Sequence, residues 1–521
     1  MRGKLYQVAF LLLFLSFFSV VISLQRSNSA VFTNIQVPEK IDLNYALAEP
    51  IQTLDPAKAS NLAEAKVISN LFEGLVRYKP NSTDVEPCLA TTWQISPDGK
   101  TWTFQLRKNV KFHDNTPFNA AAVKFSVERQ LPPQKKDNMI YGSFAFGMVQ
   151  AVEAIDDYTV KFTLRSSYAP FIRNLAMPWA APIVSPSSVT KYGDEVGQHP
   201  VGTGPFQLAQ WKKENVVLVA FTDYWGDKTP LNSIAFSHLA PAQRSTGLTS
   251  GAITLGDMAE VKTKDIPDIT LTNQPSASLG YLGLFNNKTP FNQPRVRRAV
   301  CMAIDRKEIS RKLFGSPSLA ANSILPPGFL GYNQNLQPYS GGTVKAKDML
   351  KECGLPNGLD ITLITYQGSR PYNPFGGEKL AALIKEQLAP AGIRVKIKTY
   401  PWHEFKSALR NQEGDAFLFG WVGDNLDPDN FLYTLLASGE ITNLSHYKNS
   451  EVDRLISAAQ EEVDEKIRLR LYYHAQQIML QDTPLVFLNY GQENIACRKE
   501  LQGVEFNLFG IPLLAKAHLT K

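Results

Sequence analysis

Two charged residues set the chemistry this chain can do. Asp424 lies in residues 415–430, DAFLFGWVGDNLDPDN, where a short apolar run breaks at Gly420 and opens into an acidic loop. Arg370 lies earlier, in QGSRPYNP (residues 367–374), directly after the strand-like DITLITY of residues 360–366. Each therefore stands just beyond a predicted buried strand, which is where α/β proteins place ligand-binding groups. An arginine fork binds a carboxylate in bidentate fashion, and an aspartate accepts an ammonium. Together they suit the two ends of a small zwitterion. Pro371 and Tyr372 stiffen the arginine loop, and backbone groups of Gly420, Val422 and Gly423 are available beside Asp424. Trp421 fits two roles, packing against a ligand or filling the core.

Other chemistries find little support. HExxH and G-x-S-x-G are absent, and the seven histidines are scattered without metal-ligand spacing. A calcium loop starting at Asp427 puts residues 430–432 where the turn glycine belongs and Ser438 where the glutamate belongs, so that reading fails. Asp427 and Asp429 are expected to cap a helix, with Pro428 at its first position. VGTGPFQL (residues 201–208) leads into a strand and lacks GK[ST], so it is a turn and not a phosphate loop. Neither a metal nor a cofactor is expected.

The elements that must position the two charges follow from periodicity. From residue 277 onward, strands and helices alternate, and Leu380, Leu383, Ile384 and Leu388 form the stripe of a helix covering a sheet. That alternation predicts a largely parallel sheet. Residues 294–314 read as one long helix whose Arg295, Arg297 and Arg298 are expected to be solvated. Residues 451–481 read as two charged, solvent-facing helices. Earlier, residues 93–106 and 152–164 read as hairpins in a separate block of short α+β elements.

A chain of 521 residues predicts two or three domains, and its 44% hydrophobic and 20% charged content is that of a globular protein. The net charge is +6, and Arg2, Lys4 and Arg26 supply half of it, too little to point to nucleic acid. Arg2 and Lys4 precede the apolar VAFLLLFLSFFSVVIS of residues 8–23, the pattern of a secretory leader. Cleavage is expected after Ser23 or Ala30, with an uncleaved anchor as the alternative and no cysteine nearby for a lipid. Export permits disulfides among Cys88, Cys301, Cys353 and Cys497, although Cys301 reads as a buried free thiol.

Several segments carry a family resemblance. TWQISPDGKTWTFQLRKNVKFHD (92–114), VGTGPFQL (201–208), PFNQPRVRRAVCMAID (290–305) and GWVGDNLDPDNF (420–431) resemble, in order and spacing, the extracellular solute-binding proteins of family 5. The last of these and RPYNP (370–374) are closest to the dipeptide-binding branch. In that branch the aspartate matched by Asp424 binds the peptide amino terminus, and the arginine matched by Arg370 binds the carboxylate. Trp421 falls on the tryptophan of the same motif. One departure is the loop ASGEITNLSH (437–446), which lacks the cysteine pair common in that branch.

The resemblance implies an α/β, periplasmic-binding-protein-like fold of class II type, with two lobes, a hinge and an additional inserted α+β domain. Its expected division is a leader at 1–30, domain I at 31–71, 199–283 and 485–521, inserted domain II at 72–198, and domain III at 284–484. It further implies a monomeric, non-catalytic, periplasmic or otherwise extracytoplasmic protein that passes short peptides, dipeptides above all, to an ABC permease. Alternatives are a same-fold binder of haem, a nickel chelate or antimicrobial peptides, and a secreted peptide hydrolase.

Overall fold

The computed structural model describes residues 35–258 and 268–520, so the leader lies outside the described residues. Ten strands make one sheet: β1 (Leu43–Leu47), β2 (Phe206–Lys212), β3 (Asn215–Ala220), β4 (Ser233–His238), β5 (Leu255–Met258), β6 (Ile269–Leu284), β7 (Leu359–Tyr366), β8 (Ile393–Tyr400), β9 (Ala416–Val422) and β10 (Leu485–Arg498). Their order is β8-β7-β9-β6-β10-β5-β1-β4-β3-β2. β7–β8, β7–β9, β1–β4 and β1–β5 are parallel, whereas β6 runs antiparallel to both β9 and β10. The sheet is therefore mixed and not largely parallel, because one long antiparallel ribbon was invisible to βαβ periodicity.

That ribbon joins two lobes. The start of β6 pairs with the end of β10, Ile269 opposite Arg498, next to β5 and β1. Its later half, Leu279–Gly283, pairs with the beginning of β10 beside β9. A register shift between Pro275 and Leu279 marks the crossing, where a bulge interrupts the ladder. One lobe packs Leu43, Leu71, Phe206, Leu218 and Phe236 into a core of its own. In the other, the helix Gly377–Leu388 buries Leu380, Ala381, Ile384 and Leu388, while Trp402–Arg410 buries Phe405, Ala408 and Leu409. A second, four-stranded antiparallel sheet holds the two hairpins expected from turn chemistry, with Ile95 opposite Trp102 and Asp156 opposite Thr159.

Three local expectations are corrected. The long helix is two, Pro294–Ala303 and Arg306–Phe314, because Asp305 caps the second by accepting from the Glu308 N–H at 3.0 Å. Arg297 is buried, not solvated: it donates to the carbonyls of Phe291 (2.7 Å), Asp482 and Thr483, while Arg298 donates to Gln481 (2.7 Å). Both close the C-terminus of the helix Glu465–Asp482, where cations satisfy orphan carbonyls. That helix and its neighbour Ser450–Glu461 also bury Arg468, Tyr472, Leu455 and Ile456, so they are not merely solvent-facing. All four cysteines are free, with Cys301 buried as expected. Among the described residues no helix is long and apolar enough to cross a membrane.

Candidate functional site

β7 and β9 are adjacent and parallel, Leu363 opposite Ala416, so their carboxyl ends open at the same edge of the sheet. Both faces of β9 are covered, which accounts for the unbroken apolar run of residues 416–419. Asp424 lies two residues beyond β9 and Arg370 four residues beyond β7. Together they line one cleft with a volume of about 550 Å³, within the usual size of small-molecule sites.

Asn430 fixes the aspartate loop. Its Oδ1 accepts from the Asp424 backbone N–H at 3.0 Å and from Trp421 Nε1 at 3.1 Å. The Asp424 carboxylate accepts from Tyr141 and Asn430, and no cation contacts it among the described residues. Burial pushes its pKa up to about 7 despite those two hydrogen bonds. A cleft-facing carboxylate with no cation beside it is able to accept an ammonium.

Arg370 is held in a tight loop by reciprocal backbone hydrogen bonds with Asn373, at 2.9 and 2.8 Å. Its guanidinium lies over the Trp402 ring, 3.7 Å from the centroid, and Nη1 donates to the Ser369 carbonyl at 2.6 Å. Its Nε is buried without a hydrogen-bond partner. Stacking fixes the fork while leaving donor capacity unspent, an arrangement suited to a carboxylate.

Val422 also lines the cleft, whereas Trp421, Gly420, Gly423 and Tyr372 are not among its lining residues. Those four stand behind it. A Cβ on Gly420 would come within 2.2 Å of the Tyr372 ring, and one on Gly423 would crowd Phe431 at 2.6 Å. Tyr372 is 5% exposed, and its carbonyl accepts from Asn489 Nδ2 at 2.8 Å. Asp427 and Asp429 do not cap as expected, because the helix Asp429–Leu436 has Pro428 at its N-cap and no side-chain cap bond. Asp427 instead accepts from the Asp429 N–H at 2.9 Å and from both arms of buried Arg468, at 2.8 and 2.6 Å, and Asp429 accepts from Gln460 Nε2 at 3.0 Å. Burial raises the Asp427 pKa but Arg468 outweighs it and holds the pKa low, while burial and the Asp427 charge push Asp429 up to about 7.

The opposite wall holds residues that sequence reasoning missed. Lys66 and Asp257 form a buried ion pair at 2.6 Å, and Asp257 also accepts from the Tyr45 hydroxyl (2.8 Å) and the Ala48 N–H (3.1 Å). Glu49, Glu493, Tyr141, Trp179 and Phe509 line the same cleft. They come from segments far apart in the chain, and no local pattern marks them. Trp402 alone had a signal, an aromatic residue just past the end of β8.

The profile described as "Bacterial extracellular solute-binding proteins, family 5 Middle" matches residues 84–443. The chain is 34% identical over 463 residues to the Dipeptide-binding protein of Escherichia coli K12, covering 83% of this chain and 86% of that protein. It is also 34% identical over 445 residues to Heme-binding protein A of Haemophilus influenzae, covering 80% and 81% respectively. The solved structure of HbpA2 from Haemophilus parasuis superposes with a TM-score of 0.86 at 30% identity, covering 92% of this chain and all of that one. Match length, identity and shared two-lobe architecture agree. The chain belongs to the bacterial extracellular solute-binding proteins of family 5.

Proposed function

We propose that this protein is the extracytoplasmic substrate-binding component of an ABC importer. It captures short peptides, dipeptides first, between its lobes and delivers them to a membrane permease without catalysing a reaction. The observation that carries this reading is a cleft shared by an unneutralised carboxylate, Asp424, and a stacked guanidinium with an unpartnered donor, Arg370. The pair receives the peptide ammonium and carboxylate, and a ligand lacking either end leaves a buried charge unpaired, at a cost of about 2–5 kcal/mol. Val422 lines the ligand's path, while Trp421, Gly420, Gly423 and Tyr372 shape it from behind.

The reading includes a division into domain I (31–71, 199–283 and 485–521), inserted domain II (72–198) and domain III (284–484). It is supported by β1–β5, β10 and nearly all of β6 arising from the first group, and β7–β9 from the last. Export by the leader of residues 1–30 and a periplasmic location belong to the same reading. Closure about the β6/β10 ribbon is a population shift towards the lobe-closed form on ligand binding.

Calorimetric titration with a dipeptide mixture tests this, with Asp424→Ala and Arg370→Ala alongside. Tight binding by the parent protein, weakened at least 30-fold in each variant, with the peptides recovered intact, is the expected result. Binding unchanged by both substitutions sinks the residue assignment.

Haem is the second reading, favoured by the equal identity to Heme-binding protein A. Against it, among the described residues four carboxylates (Glu49, Asp257, Asp424 and Glu493) and two cations (Lys66 and Arg370) line the cleft, an unfavourable setting for two propionates. Saturable haem absorbance changes without peptide binding would favour haem instead.

A further inference from the structure

Glu493 is the cleft charge that the zwitterion does not use. Asp257 already holds Lys66 at 2.6 Å. With Arg370 and Asp424 assigned to the ligand's ends, Glu49 and Glu493 are left over. Glu49 is the more exposed of the two, although burial still raises its carboxyl pKa, whereas Glu493 is half-buried and held by its neighbours.

The position of Glu493 is built. It sits on β10 opposite Gln274 of β6, at the ribbon between the lobes. Its stem lies against Gly510, where a Cβ would come within 2.7 Å of the glutamate Cγ and where φ is +75°. Both features require glycine there and fix the direction of the side chain. Among the described residues no group donates a hydrogen bond to the carboxylate, and no cation lies within ion-pair distance.

We propose that Glu493 forms a second cation-binding position in the cleft, receiving a positively charged ligand side chain, so that preferred ligands are short peptides containing lysine or arginine. This rests on the peptide reading above. The electrostatics agree. Burial pushes Glu493 up to about 7, with Asp257 and Glu49 adding to the shift and Lys66 opposing it. Tyr45, also facing this group, is engaged by Asp257. A ligand ammonium or guanidinium supplies the counter-charge, and the glutamic acid gives up its proton on binding.

The test is calorimetric titration of the purified protein with Ala-Lys, Lys-Ala, Ala-Met and Met-Ala at pH 7, in buffers of different ionisation enthalpy, and again with Glu493→Gln. Lysine and methionine have similar length and differ in charge. In at least one sequence order the lysine peptide should bind tenfold or more tighter than its methionine counterpart and release more protons. Both differences should collapse to within about twofold in Glu493→Gln. Equal affinity for lysine and methionine peptides in both orders overturns the assignment, as does a preference that survives in the variant. Failure of every peptide to bind overturns the peptide reading itself and this assignment with it.

Discussion

Asp424 combines two properties that oppose each other. Its carboxyl is pushed from an ordinary 3.8 to about 7 by burial, so the free protein near neutrality is stabilised by keeping it protonated. A raised carboxyl pKa contributes stability that is complete below about pH 4 and is lost as pH rises towards 7. Asp424→Asn, which cannot ionise, is therefore expected to stabilise the ligand-free protein at pH 8 by about 1–2 kcal/mol. Its melting temperature should exceed that of the parent at pH 8 and match it at pH 4. The same variant should lose peptide affinity, since an amide holds no ammonium. In the parent, ligand binding requires the ionised carboxylate, so affinity should fall about tenfold per unit as pH drops from 7 to 5. A flat profile over that range would remove Asp424 from the ammonium role.

At the scale of elements, the parallel pair β7 and β9 aims both loops at one edge, and small residues let the supports close in. Gly420 faces the Tyr372 ring, which in turn packs against Phe419 with ring centroids 6.0 Å apart. Gly420→Ala forces that ring away, and overpacking of this kind costs about 1–3 kcal/mol. Urea denaturation should register the loss, and peptide binding should weaken because Tyr372 and Arg370 share a loop. The helix Glu465–Asp482 depends on Arg297 for its C-terminal carbonyls. Arg297→Met should cost about 1–3 kcal/mol by leaving buried acceptors unsatisfied. A melting temperature unchanged by that substitution would show the carbonyls to be otherwise hydrated.

Across the whole molecule, the loop that carries Asp424 also touches the inserted block. Asn425 Nδ2 donates to Asn174 Oδ1 at 2.6 Å, the Tyr78 hydroxyl donates to the Asn425 carbonyl, and Arg173 lies 3.5 Å from Asp427. Ligand capture and lobe contact are thus one residue apart in sequence. Asn174→Ala removes that contact together with the hydrogen bonds to the Phe144 and Ala145 carbonyls, both 3.2 Å, and it should speed peptide release several-fold with little change in association. Stopped-flow kinetics would measure both rates, and an unchanged release rate would separate the loop from lobe contact. Deeper in the same interface, Arg468→Ala leaves the buried Asp427 carboxylate with only the longer Arg173 contact at 3.5 Å. Breaking a buried pair from one side costs about 3–5 kcal/mol, readable as a large fall in melting temperature.

Much of this protein was legible in its sequence because local physics governs it. An unbroken apolar run gave β9, a strand-like stretch gave β7, period-3.6 patterning gave the helix Gly377–Leu388, and Ser96-Pro97-Asp98-Gly99 placed a hairpin that the sheet register reproduces. Asp424 and Arg370 were readable as loop charges after buried strands, and the adjacency of those strands then put them in one cleft. Tertiary structure alone decided the rest. Arg297 looked solvated because two of its three carbonyl partners, Asp482 and Thr483, lie more than 180 residues away. The antiparallel β6/β10 ribbon was missed because pairing between strands so far apart leaves no periodic trace. Lys66, Asp257 and Glu493 converge from three distant segments, and only the folded chain shows that Lys66 is already taken by Asp257 while Glu493 lines the cleft with no partner among the described residues. A charge's identity is written locally, whereas its counter-charge is a matter of three-dimensional distance.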